Sequence, residues 1–127
     1  MIETLLIAAA LMGGIAIEDV KTTGYCAGPP CVDAKWADGK TASGTDAKRG
    51  VCAADWSVFP KGTVFDIPGY GLCRVEDTGN PDYVNGRHLD LFFETEAEAW
   101  EWGVRHKRIS LKAVPLGYKP MIFVDGK

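Results

Sequence analysis

Gly86-Arg87-His88-Leu89-Asp90-Leu91-Phe92-Phe93 is the stretch on which the reading of this chain turns. It follows an Asn85-Gly86 turn signal and alternates with the period of a β-strand. Leu89, Leu91 and Phe93 fall on one face, and His88, Asp90 and Phe92 on the other. The first face belongs in a core. The second carries an acid between an imidazole and an aromatic ring. Burying a carboxylate is costly, so the pattern places Asp90 on the floor of a cleft. Phe92 is then positioned to stack on a sugar ring and to desolvate the acid.

Residues 20–26, 51–55, 63–67, 72–77, 88–93 and 106–113 read as short strands. Gly28-Pro29-Pro30, Asp38-Gly39, Ser43-Gly44, Pro60-Lys61-Gly62 and Pro68-Gly69 punctuate them. Short strands at this density predict a mainly all-β chain, a small barrel or sandwich. Residues 27–50 are poor in apolar residues and are expected to form a loop over the barrel mouth. One short helix is predicted: Thr95 and Glu98 form a capping-box pattern, and Gly103 is its stop. Its tryptophans, Trp100 and Trp102, suit a plug at a barrel end. The tail from Val114 to Lys127 is expected to wrap the domain.

A length of 127 residues fits one domain, assigned to residues 18–127. A net charge of −3 with no clustered basic stripe excludes nucleic acid as a partner. Residues 1–17 differ in kind, with an uninterrupted apolar run from Leu5 to Ile17 that is short for a membrane span. A secretory signal or short anchor explains it, with Gly14-Ile15-Ala16 as a small-x-small cleavage phrase. The alternative is a first strand or helix packed in the core, and the acidic Met1-Ile2-Glu3-Thr4 favours that alternative.

The four cysteines allow three pairings, of which Cys26–Cys31 with Cys52–Cys73 is the simplest. Disulfides imply an oxidising compartment; four reduced, buried thiols are the other reading. The Cys-x4-Cys spacing and two distant histidines do not suit zinc, so no metal or cofactor is expected.

Two further acids stand in phrases of their own, Asp55 in Cys52-Ala53-Ala54-Asp55-Trp56 and Asp77 in Val75-Glu76-Asp77-Thr78-Gly79. Asp77 closes a strand before a turn whose amides suit a carboxylate. Proximity to Asp90 would raise one of the two pKa values. Aspartates near turns also serve simply to tie them. Asp77-Thr78-Gly79 spells the aspartic-protease triplet as well, without the later apolar-apolar-Gly phrase that supports it.

Taken together with Thr41-Ala42-Ser43-Gly44, Phe59-Pro60-Lys61-Gly62-Thr63, Pro68-Gly69-Tyr70-Gly71 and Trp102-Gly103, these phrases resemble the 3D (three-aspartate) domain. That domain is shared by membrane-bound lytic transglycosylase A and stationary-phase muralytic proteins. The resemblance runs in order from Thr22 to Val114. It implies a six-stranded double-psi β-barrel that cleaves the glycan strands of peptidoglycan as a lytic transglycosylase. With the cysteines read as disulfides, the chain is expected to be extracytoplasmic, and a monomer is expected. By matching phrase, Asp90 resembles the catalytic acid/base and Asp77 the aspartate that shapes its titration. Asp55 resembles the structural or substrate-positioning member, with Thr41 on a loop at the cleft. Asn80 stands where a second glycine often follows Asp-Thr-Gly. Non-catalytic expansin- and barwin-like glycan-binding modules share the architecture, so fold does not by itself decide activity.

Overall fold

The computed structural model describes residues 15–27 and 39–115. Six strands and one helix follow one another: β1 (Ile15–Tyr25), β2 (Val51–Ala54), β3 (Val64–Ile67), β4 (Gly71–Asp77), β5 (His88–Phe92), α1 (Glu96–Trp102) and β6 (Arg105–Ala113). The strands close into a barrel in the order β1-β5-β2-β4-β3-β6. Two neighbouring pairs, β1 with β5 and β2 with β4, run parallel; the other four are antiparallel. This is the double-psi barrel that the resemblance implies. Closure leaves no sheet edge unpaired, which lets strands of four or five residues persist.

The barrel interior takes one face of each strand. Val20 from β1, Cys52 and Ala54 from β2, Phe65 and Ile67 from β3, Cys73 and Val75 from β4, Leu89 and Leu91 from β5, and Ile109 and Leu111 from β6 share one buried cluster. Full burial of each large member contributes about 1.5–3 kcal/mol. Cys52 and Cys73 form a disulfide inside this cluster, Cα–Cα 5.9 Å. Cys26 is disulfide-bonded too, while Cys31 lies outside the described residues.

β1 starts earlier than the sequence suggested. Ile15, Ala16 and Ile17 pair with Leu111, Ser110 and Ile109 of β6, so the last three residues of the apolar run are barrel strand. The Gly14-Ile15-Ala16 phrase therefore overlaps β1. A bulge follows between Ile17 and Val20, where Asp19 takes a positive φ of 53°. The bulge resets the alternation, so that Val20 and Thr22 point inward while Thr23 and Tyr25 point outward.

α1 forms where the capping box predicts it. The Thr95 side chain accepts from the Glu98 amide, and the Glu98 side chain accepts from the Thr95 amide. Only one of its tryptophans plugs the barrel. Trp102 is buried against Tyr70 and Phe93 and donates through its indole N–H to Thr22 Oγ1 at 3.0 Å. Trp100, two residues away and thus on another side of the helix, is 75% exposed. Gly24 lets the helix approach, because a Cβ there would stand 2.9 Å from Phe93 and 3.1 Å from the Ala99 backbone. Among the described residues no helix is long and apolar enough to cross a membrane.

The Cys52–Cys73 bridge closes a loop of sequence separation 21, for which chain entropy gives about 3 kcal/mol. Replacing both cysteines by alanine should lower unfolding free energy by at least that amount in urea titration, with the native spectrum retained. A loss below about 1 kcal/mol would mean that packing alone holds β2 against β4.

Candidate functional site

The outer wall of the barrel, not its interior, brings the acids together. Strand register does it. Thr23 of β1 lies opposite Asp90 of β5, Asp90 opposite Ala53 of β2, and Ala53 opposite Asp77 of β4. Asp90 and Asp77 thus flank one alanine across three adjacent strands, with backbones about 10 Å apart at the usual strand spacing. Ala53 has only a methyl group to place between them. Tyr25, two residues after Thr23 on the same face, reaches across and donates from its hydroxyl to Asp77 Oδ2 at 3.2 Å.

Asp77 is firmly held. Its Oδ1 accepts from the amides of Ala42 (3.0 Å) and Thr78 (2.9 Å), besides the Tyr25 bond at Oδ2. Its own carbonyl accepts from the Trp56 indole at 3.0 Å. Burial, and then the neighbouring Asp77 and Asp90 carboxylates, push the Tyr25 phenol far above its ordinary range. Tyr25 therefore remains a donor throughout the pH range in which carboxylates titrate.

Asp90 is held differently. It is half-buried on β5, and Thr23 Oγ1 donates to its Oδ1 at 2.8 Å. Desolvation raises its pKa to about 6, with the Asp77 charge adding to the rise and the Thr23 hydrogen bond opposing it. The same Thr23 oxygen lies 2.7 Å from His88 Nε2, and His88 Nδ1 lies 2.7 Å from the Tyr83 carbonyl. Burial pulls His88 below its ordinary pKa; the Tyr83 bond works against this and nearby Lys21 with it. A carboxylic acid that keeps its proton to about pH 6 beside a fixed carboxylate can serve as a general acid.

The remaining sequence candidates take other places. Asp55 ties a turn, its Oδ1 accepting from the Ser57 amide (3.0 Å) and hydroxyl (2.6 Å), and the Ser57 hydroxyl bond is the main cause of its lowered pKa. Thr41 is buried and spends its hydroxyl on Thr45 at 2.8 Å. It is the Ala42 amide of that loop that meets Asp77, while the Ser43 hydroxyl donates to the Glu76 carbonyl. Phe92 does not offer a face to a sugar. At 2% exposure it packs edge-on to Tyr25 (centroids 5.4 Å) in a second small cluster with Val51 and Ala53 on the outer wall. His88, at 5% exposure, is likewise buried. The exposed aromatic nearby in sequence is Tyr83, 72% exposed, whose carbonyl holds His88.

Sequence reasoning missed Thr23 and Tyr25. The outward alternation of Thr23 and Tyr25 is visible in the sequence, but the parallel partner 67 residues downstream is not. Among the described residues no group of three or more His, Cys, Asp or Glu side chains has the arrangement of a metal site.

These features define a small double-psi barrel whose outer wall carries two neighbouring carboxyls, one fixed by amides and one desolvated. The sequence model of the 3D domain matches residues 50–114, and the chain belongs to that family. No curated protein sequence matches significantly. Among solved structures, the crystal structure of MltA from E. coli is similar at 23% identity and a TM-score of 0.45, over 57% of this chain and 26% of that one. E. coli MltA with bound chitohexaose gives 23% and 0.47, over 60% and 28%. The E. coli MltA structure described as a unique lytic transglycosylase fold gives 24% and 0.46, over 60% and 28%. This chain thus spans about a quarter of the length of the MltA chains it resembles.

Since Asp90 binds its proton more tightly in the folded protein (about 6) than in an unfolded chain (about 3.9), stability falls as pH rises through that interval. Asp90→Asn removes the penalty of burying the charge. The variant should be more stable than wild type by about 1–3 kcal/mol at pH 8, and no more stable below about pH 4. Urea titrations at the two pH values test this; an equal gain at both would place its origin elsewhere than in the buried charge.

Proposed function

We propose that this chain is a lytic transglycosylase that cleaves the bond between N-acetylmuramic acid and N-acetylglucosamine in peptidoglycan glycan strands. The observation that carries the reading is the pairing of unlike carboxyls: Asp90, desolvated and titrating near 6, beside Asp77, pinned by two amides and a tyrosine hydroxyl. The substrate class comes from the resemblance of the aspartate phrases to those of the 3D domain, of which this chain is a member.

One mobile proton suffices for this reaction. Protonated Asp90 donates to the glycosidic oxygen as the bond to C1 of N-acetylmuramic acid breaks. The resulting carboxylate takes the proton of the same sugar's C6 hydroxyl, whose oxygen bonds to C1 and closes a 1,6-anhydro ring. No water is consumed, and the intramolecular attack replaces the second carboxylate that a hydrolase requires. Asp77, fixed by its hydrogen bonds, faces the positive charge developing at C1 and disfavours premature ionisation of Asp90. Tyr83, exposed on the loop that holds His88, offers a ring against which a sugar can pack.

A disulfide inside the barrel suits an oxidising, extracytoplasmic setting, where peptidoglycan is found. We place the protein there, acting as a monomer. The second reading, a glycan-binding module without turnover, draws on the fold alone.

Purified peptidoglycan incubated with the full chain should release muropeptides with 1,6-anhydro ends, detected by mass spectrometry. Asp90→Asn should reduce the release by about 10²–10⁴-fold. Ordinary reducing ends would mean hydrolysis. Binding to the polymer without products would leave the non-catalytic module.

A further inference from the structure

Thr23 has one proton and two neighbours that need it. The Tyr83 backbone carbonyl can only accept, so the 2.7 Å contact at Nδ1 requires that His88 carry a hydrogen there. In the neutral ring Nε2 is then a bare acceptor, 2.7 Å from Thr23 Oγ1. Thr23 Oγ1 also lies 2.8 Å from Asp90 Oδ1. If Asp90 is ionised and His88 neutral, the single Thr23 proton serves one of them, and the other contact sets lone pair against lone pair. The conflict vanishes when the Asp90–His88 pair holds one extra proton.

We propose that Asp90, Thr23 and His88 share one proton in a relay that holds Asp90 in its acid form. In the loaded arrangement Asp90 donates to Thr23 Oγ1, the Thr23 hydroxyl donates to His88 Nε2, and His88 Nδ1–H donates to Tyr83. Moving two protons gives its mirror. Asp90 gives its proton to Thr23 Oγ1 as Thr23 passes its own to Nε2, leaving a carboxylate, an intact hydroxyl and an imidazolium. Proton count and total charge are the same in both. When Asp90 protonates the leaving oxygen, the Thr23 hydroxyl turns from His88 to the new carboxylate, and it turns back once the C6 proton arrives. Thr23 and His88 are positioning residues, acting on the reaction only through Asp90.

The surroundings bias the proton toward Asp90. From β1, Lys21 lies opposite His88 in the ladder and opposes a positive imidazole. The Asp77 carboxylate, at the end of β4, opposes a negative Asp90. Tyr25 is hydrogen-bonded to Asp77. On β2 the opposing residues are Ala53 and Ala54, uncharged, and Asp55 beyond them is tied to Ser57. Burial disfavours both ionised forms in the mirror arrangement.

This inference rests on the reading of Asp90 as the acid, but its test does not need turnover. In full-length wild-type protein, ¹⁵N NMR above pH 7 should show the His88 hydrogen on Nδ1 and Nε2 bare; a hydrogen on Nε2 overturns the relay. The ¹³C carboxyl titration of Asp90 supplies the second arm. His88→Phe frees the Thr23 hydroxyl for the carboxylate, and the Asp90 midpoint should fall by roughly one unit. In a Thr23→Val background the same substitution should leave the midpoint within about 0.2 units, because the route through the hydroxyl is gone. Thr23→Ser should titrate as wild type does. A rise in His88→Phe would mean a simple charge pair, and no change would mean a scaffolding histidine; either overturns the proposal. Absence of anhydro products alongside the predicted titrations would instead remove the transglycosylase reading and leave the relay standing.

Discussion

The parallel ladder between β1 and β5 places Thr23 opposite Asp90, and the site is organised around that register. A slip of one residue would turn Thr23 and Tyr25 into the barrel and bring Thr22 and Gly24 out. Asp90 would then lose its donor, and Asp77 the tyrosine hydroxyl. The register is fixed from the other face. Thr22 is fully buried, donates to the Arg105 carbonyl and accepts from the Trp102 indole. Gly24 lies against Phe93 and the helix. The interior thereby selects which residues of β1 face the acids.

Two carboxyls on one half-buried wall are an electrostatic liability, and the fold treats them unequally. Asp77 receives two backbone amides and a phenol that stays protonated. Asp90 receives one hydroxyl, which His88 also claims. Desolvation and the neighbouring Asp77 therefore favour the proton on Asp90. Ala53 is part of this division: a larger side chain between the two strands would shield the acids from each other and fill the floor between them.

The six strands were legible in order because period-two alternation and Gly/Pro punctuation are local signals. The same signal identified Asp90, whose neighbours Leu89 and Leu91 are fully buried as expected. Phe92 was misjudged for a non-local reason. Its outward face is covered by Tyr25, Val51 and Ala53, with Ala47 packed against them, forming a second layer that no periodicity reveals. Thr23 and Tyr25 escaped notice because parallel pairing across 67 residues leaves no trace in either segment. The strand at Ile15–Ile17 was hidden inside a longer apolar run of uniform composition from Leu5 to Ile17. Thr41 drew attention through its phrase, whereas the contact with Asp77 comes from the Ala42 backbone, which any residue but proline could supply.

Thr22, Thr23 and Gly24 show how little chain is needed to couple a core to a site. The first holds the plugging tryptophan, the second the acid, and the third admits the helix. Because side chains alternate across a strand, inward and outward duties fall on consecutive residues that cannot move independently. A shift of α1 against the barrel end would pass through Trp102 to Thr22, and along one peptide bond to the Thr23 hydroxyl. The distance between that hydroxyl and Asp90 decides how strongly the carboxylate is stabilised relative to the acid.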